Sequence, residues 1–215
     1  MRAPTGSSEA GHTVKGSKFV AWLAPAIDLA AARDGLVDRS RLHPDATHHG
    51  WAYRVWSEGR IQAAGFDAGE PAGTTGPPIL GGLERADIVS ALCVVSRWFG
   101  GTKLGTGRLT RAYAEAARAA VTAAEHGGLL HPVEPWTAFR LDFPYQVTAG
   151  VRRVLARYLA RERSAEYGGR VALVVSVPEE DAPAFQREIS EGTGAAVAAV
   201  RIGVRLEAAR DERPG

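Results

Sequence analysis

Residues 87–128 read DIVSALCVVSRWFGGTKLGTGRLTRAYAEAARAAVTAAEHGG, and their reading decides the architecture. Ile88, Val89, Leu92 and Cys93-Val94-Val95 make Asp87–Trp98 a buried strand. The segment Phe99–Gly107 is a glycine loop, with Gly100, Gly101, Gly105 and Gly107. Leu109–Glu125 is dominated by alanine, which favours helix and permits close packing on a sheet. Gly127-Gly128 ends that helix. Glycine tolerates positive φ and close backbone approach. A helix N-terminus presents unpaired amides and a partial positive charge. A strand, a glycine loop and a helix start therefore make a place for phosphate or another anion. Arg97, Lys103, Arg108 and Arg111 add charge around it. The named nucleotide motifs fail: Gly105 is followed by Thr106-Gly107 and not by Lys-Ser/Thr, and no glycine stands at 110. The bland alternative, a tight turn that packs strand on helix, stands beside the anion site.

Upstream, residues 1–14 are polar and Gly/Ser-rich and read as a flexible arm. Ser17–Ala24 is a strand, Ile27–His43 a helix, and His49–Trp56 and Gln62–Asp67 two strands joined at Ser57-Glu58-Gly59. Ala68–Pro78 is a loop and Ile79–Arg85 a short helix. Downstream, Leu130–Pro135 carries two prolines and marks a domain boundary. Beyond it the order is strand Thr137–Phe143, helix Gln146–Arg161, strands Ser164–Tyr167 and Arg170–Val177, helix Glu180–Glu191 and strand Ala198–Leu206. That is βαββαβ, the ferredoxin-like order. The expected organisation is an α+β chain with an arm (1–14), a first domain (15–130), a ferredoxin-like second domain (136–207) and a tail (208–215).

Composition narrows the function classes. The 215 residues are 45% hydrophobic and 23% charged, which excludes disordered and fibrous chains. Cys93 is the only cysteine, so an intrachain disulfide is impossible and a reducing, cytoplasmic setting is expected. Its apolar strand makes it a buried, inert thiol. The longest apolar run, near Val171–Val177, is far short of the ~20 residues of a membrane span. The formal charge is +2, which argues against an indiscriminate polyanion binder. It conceals two basic windows without acids, Ile88–Ala114 and Phe143–Arg161, balanced by seven acids in Glu162–Glu191. In the second window Arg153, Arg157 and Arg161 recur every four residues as a secondary basic stripe for nucleic acid.

A second glycine loop, Asp67-Ala68-Gly69-Glu70-Pro71-Ala72-Gly73-Thr74-Thr75-Gly76, holds two carboxylates beside hydroxyls. They suit acid/base or metal chemistry. Capping of the next helix, or pairing with arginines of the first loop, is the favoured reading. His43, His48 and His49 lie near Asp45, but no zinc spacing is matched, so no metal or other cofactor is expected. Trp51, Tyr53 and Trp56 read as sheet-face packing, with base stacking as the alternative.

Glu70-Pro71-x-Gly73-Thr74-x-Gly76, Pro78-Ile79-Leu80 and the run from Val94 through Arg97-Trp98-Phe99-Gly100-Gly101 to Arg111-Ala112-Tyr113 together resemble the signature of the YigZ/IMPACT family. Ser17-Lys18-Phe19-Val20-Ala21 and His48-x-x-Trp51-Ala52-Tyr53-Arg54 look like its earlier motifs. The resemblance covers about residues 14–125. It implies a first domain similar to domain IV of elongation factor G, with a left-handed βαβ crossover, and a second similar to domain V. It also implies a link to translation and stress regulation. Eukaryotic relatives act by protein binding, competing with a translation-control kinase for its activator. For bacterial members nucleic-acid binding is the usual suggestion. This chain departs from the pattern: the usual Asp-Asp-Gly-Glu reads Asp67-Ala68-Gly69-Glu70, and His-Asn-Cys reads His48-His49-Gly50. One acid and one thiol are thus missing, which weakens any catalytic proposal.

The leading expectation is a non-enzymatic protein that binds RNA or a ribosome-associated surface, with no assigned catalytic residue and no oligomeric state assigned. Arg97, Lys103, Arg108 and Arg111 would contact phosphates together with the amides of Gly100, Gly101, Gly105 and Gly107. His48, Asp67, Glu70 and Thr74 would shape the adjoining loop. The alternatives are a small-molecule or phosphoryl-ligand enzyme using Asp67 or Glu70, and a module that binds a protein partner in translation control.

Overall fold

The computed structural model describes residues 1–210; the part of the expected tail from 211 to 215 lies outside the described residues. The chain divides into two units, Met1–Val133 and Glu134–Gly215, so the division falls inside Leu130–Pro135. That stretch is itself regular structure. It begins a 14-residue strand, β7 (Leu130–Phe143), and Leu130, His131 and Pro132 pair with β1 (Arg2–Pro4).

The expected flexible arm is likewise structured. Besides β1, it contains β2 (Ser8–Val14), which pairs along its whole length with β3 (Ser17–Pro25), from Ser8↔Leu23 to Val14↔Ser17. The polar residues belong to an edge strand whose alternate positions face solvent, and Ser8 Oγ donates to the Ala120 carbonyl at 2.8 Å. Polarity here marks a wet sheet edge and not a loose chain.

The sheet of the first unit continues with α1 (Leu29–Leu42), β4 (His48–Ser57), β5 (Arg60–Phe66), α2 (Gly76–Arg85), β6 (Ala91–Trp98) and α3 (Thr106–His126). Strand order is β2-β3-β6-β4-β5. β6 is antiparallel to both β3 and β4, so the β3–α1–β4 connection is a parallel crossover around a central strand. Side chains alternate across β6. Ala91, Cys93 and Val95 enter the core under α2 and α3, whereas Leu92 and Val94 enter the cluster under α1. Burial on both faces explains the unbroken apolar run. On α3, Leu109, Ala112, Tyr113, Ala116, Ala117, Ala120, Val121 and Ala124 form one buried stripe at helical spacing. The helix α2 begins three residues earlier than its sequence suggests. Pro77 and Pro78 occupy its first turn, where a missing N–H leaves no hydrogen bond unmade.

The second unit contains α4 (Thr148–Arg157), β8 (Arg161–Tyr167), β9 (Val171–Pro178), α5 (Ala182–Gly192) and β10 (Val200–Ala208), with β7 as its first strand. The sheet order β10-β7-β9-β8 is the ferredoxin-like arrangement. Phe139, Leu141, Val151, Leu173, Val175, Phe185 and Ile189 build a core separate from that of the first unit.

Here the expected basic stripe fails. The helix stops at Arg157 because Leu159 takes a left-handed conformation (φ 49°), and the Ala160 N–H reaches back to the Leu155 carbonyl at 2.9 Å. Arg161 is therefore in β8, not on the helix. Acids from elsewhere supply the counter-charges absent locally. Arg157 pairs with Glu188 at 3.1 Å, Arg161 with Glu207 at 3.1 Å and Arg152 with Glu162 at 2.6 Å. Arg153 alone of the stripe has no such partner among the described residues, and it stands exposed on α4.

Candidate functional site: a cleft at the start of α3

The turn that joins β5 to α2 is built by Asp67. One carboxylate oxygen accepts the amides of Thr75 (2.8 Å) and Gly76 (2.9 Å), and the other accepts that of Gly73 (2.8 Å). The cap residue Thr75 makes no side-chain cap of its own, so Asp67 satisfies the open amides of the helix start. Desolvation pushes this carboxyl up. The three amide donors outweigh it and hold the group below its ordinary value. Thr74 Oγ1 donates to the Pro71 carbonyl at 2.6 Å, and His48 Nδ1 lies 3.0 Å from the Ala68 carbonyl, so both residues brace the turn.

Glu70 stands on the inner side of this turn. Its side chain is 4% exposed, and one oxygen accepts from Arg97 (2.6 Å) and from the Tyr113 hydroxyl (2.7 Å). Arg97 ends the α3-facing row of β6, with its guanidinium 5.5 Å from the Phe19 ring and 5.6 Å from that of Phe99. Burial raises the Tyr113 phenol far above its ordinary value, and the bond to Glu70 adds to this, so the hydroxyl is a fixed donor. Both carboxylates are engaged: Asp67 with backbone amides and Glu70 with Arg97 and Tyr113.

The glycines divide by role. A Cβ on Gly100 would come within 2.0 Å of the Gly16 backbone, so Gly100 lets the loop touch the β2–β3 turn. Gly105 precedes α3 at φ 76°, ψ 155°, a conformation open essentially to glycine alone, and no side chain caps the helix. A Cβ on Gly107 would meet nothing.

Between the turn and the loop lies a cleft of about 360 Å3, lined by Glu70, Pro71, Arg97, Phe99, Lys103 and Leu104, and by Gly105, Thr106 and Leu109 at the helix start. The structure thus gathers Arg97, Lys103, Gly105 and Glu70 into one site. Arg108 and Arg111 are exposed on the first turns of α3 but do not line the cleft, and Arg111 Nε donates to the Gly107 carbonyl at 3.2 Å. Phe99 forms an exposed aromatic wall of the cleft, and its signal in the sequence is an aromatic residue at the mouth of a glycine loop.

Trp51 stacks on Phe66 at 4.2 Å and on Tyr53 at 5.8 Å. Trp56, at an even position, faces the opposite side of the sheet from Trp51 and Tyr53. His49 Nδ1 lies 2.9 Å from Ser96 Oγ, and burial lowers its pKa. No cluster of three or more metal-ligating side chains occurs among the described residues. No helix among them is long and apolar enough to cross a membrane.

Comparison with known proteins adds what geometry cannot. The Impact N-terminal domain family matches residues 15–121 and a domain of unknown function (DUF1949) matches residues 141–196. An IMPACT family member of Haemophilus influenzae is 31% identical over 179 residues, 83% of this chain and 85% of that protein. The chain belongs to the IMPACT family. Other relatives are IMPACT family member YigZ of Escherichia coli (30% identical; 83% of this chain, 86% of that protein) and a Thermus thermophilus member (36% identical; 80% and 92%). Among solved structures, one described only as a hypothetical protein superposes with a TM-score of 0.65 at 27% identity, covering 94% of this chain and 96% of that one. The two-domain translational regulator Yih1 matches 55% of this chain and 47% of its own, at 28% identity and a TM-score of 0.37. With the family membership and the superposition, the α+β two-domain reading of the sequence stands.

Proposed function

We propose that this IMPACT-family protein acts in translation control by binding RNA or a ribonucleoprotein surface at the cleft before α3. One observation carries the reading: the acids beside the glycine loop are already engaged, while Lys103 and Arg108 are not. Asp67 serves backbone amides and Glu70 serves Arg97 and Tyr113. Lys103 and Arg108 are exposed without a partner among the described residues, and the uncapped start of α3 adds its partial positive charge. The local field is cationic although the whole chain is nearly neutral. Phosphate contacts made by Lys103, with Arg108 and Arg111 on the adjoining turns, suit a strand that runs past the helix start.

Filter binding of RNA at low salt tests this. Binding is expected to weaken as salt rises, and Lys103→Ala should reduce the salt slope by about one. Arg111→Ala should weaken binding across sequences in the same way. No affinity above that for a neutral polymer control would overturn the reading.

A further inference from the structure

The cleft has walls that a phosphate alone does not require. Pro71, Phe99, Leu104 and Leu109 make much of its lining apolar, and Phe99 keeps 48% of its surface exposed. Arg97 supplies a second, independent sign of a ligand. It lines the cleft at 6% exposure, donates a single hydrogen bond, to Glu70, and leaves its Nε buried with no acceptor among the described residues. A buried guanidinium with unused donors is costly unless something else satisfies them.

We infer that the cleft takes one nucleoside monophosphate unit, with its phosphate at the start of α3 beside Lys103 and Thr106 and its base against the Phe99 ring. Arg97 offers the N–H donors of its terminal nitrogens that Glu70 leaves unused to acceptor oxygens of the same unit. The volume of about 360 Å3 suits a single nucleotide and not a duplex, whose bases are stacked away from any aromatic wall. This inference rests on the RNA-binding reading and narrows it to an unpaired nucleotide. The same chemistry exists in a free mononucleotide and in a single-stranded RNA.

The test is calorimetric titration of the full chain with AMP, adenosine and inorganic phosphate. AMP is expected to bind at least about tenfold more tightly than either fragment. Phe99→Ala should weaken AMP at least about fivefold, and Phe99→Trp should restore it. Because Phe99 is half exposed, neither variant threatens the core. AMP binding no tighter than phosphate, or indifference to Phe99→Ala, overturns the inference. A 5′-phosphorylated single-stranded hexamer separates the sources: tighter binding than AMP assigns the cleft to RNA, and equal binding assigns it to the free nucleotide. The two readings fail separately. RNA binding that ignores Phe99→Ala removes the nucleotide cleft and keeps the RNA reading. AMP binding without RNA retention does the reverse.

Discussion

Asp67 and Glu70 stand three residues apart and do unlike work. Their chemical similarity in the sequence hides this, because the difference lies in what reaches them. Asp67 meets the amides of Gly73, Thr75 and Gly76, all within nine positions of it. That contact was legible as helix capping. Glu70 meets Arg97 and Tyr113, which lie 27 and 43 positions away, and only the sheet brings them there. Asp67→Ala is expected to cost about 1–2 kcal/mol of stability at neutral pH, the scale of a lost N-cap. Its folded pKa is held down, so the stabilisation is present above the ordinary value of 3.8 and is lost as pH falls through the lower folded value. The gap between wild type and Asp67→Ala should therefore be full in urea melts at pH 7 and close progressively below pH 3.8.

At the level of elements, period and propensity made the strand β6, the glycine loop and the alanine helix readable, because each carries its pattern in its own residues. The misreadings fall where a partner decides. The polar strand β2 exists because β3 offers it a ladder and α3 covers one side. The end of α4 carries no glycine signal in the sequence, because Leu159 takes the left-handed position after it. An L-residue there carries a strain of roughly 1–2 kcal/mol. Leu159 is 60% exposed and contributes little packing. Leu159→Gly should accordingly raise the stability of the second unit by about 1 kcal/mol, read as a higher urea midpoint at unchanged slope. An unchanged or lower midpoint would show that the turn carries no strain.

At the scale of the whole chain, the hydrophobic clusters of the two units are built by separate stretches of sequence, and Phe185 belongs to that of the second unit. Phe185→Ala should cost that core about 3–5 kcal/mol. Hydrogen exchange should show lost protection in β7 and β9, with β3 and β6 unaffected; equal loss in both units would mean that they unfold as one. The βαββαβ order was legible because each element of the second unit carries its own pattern. The charge balance was not, since Arg157 and Arg161 find Glu188 and Glu207 only after folding. One further property belongs to the chain as a whole. Cys93 is its single cysteine, fully buried in β6, with burial pushing the thiol up to about 12. The native protein is thus silent to thiol-directed reagents. Arg108→Cys would carry the sole reactive sulfur, and a photo-crosslinker attached there would record which molecule the protein meets inside a living cell.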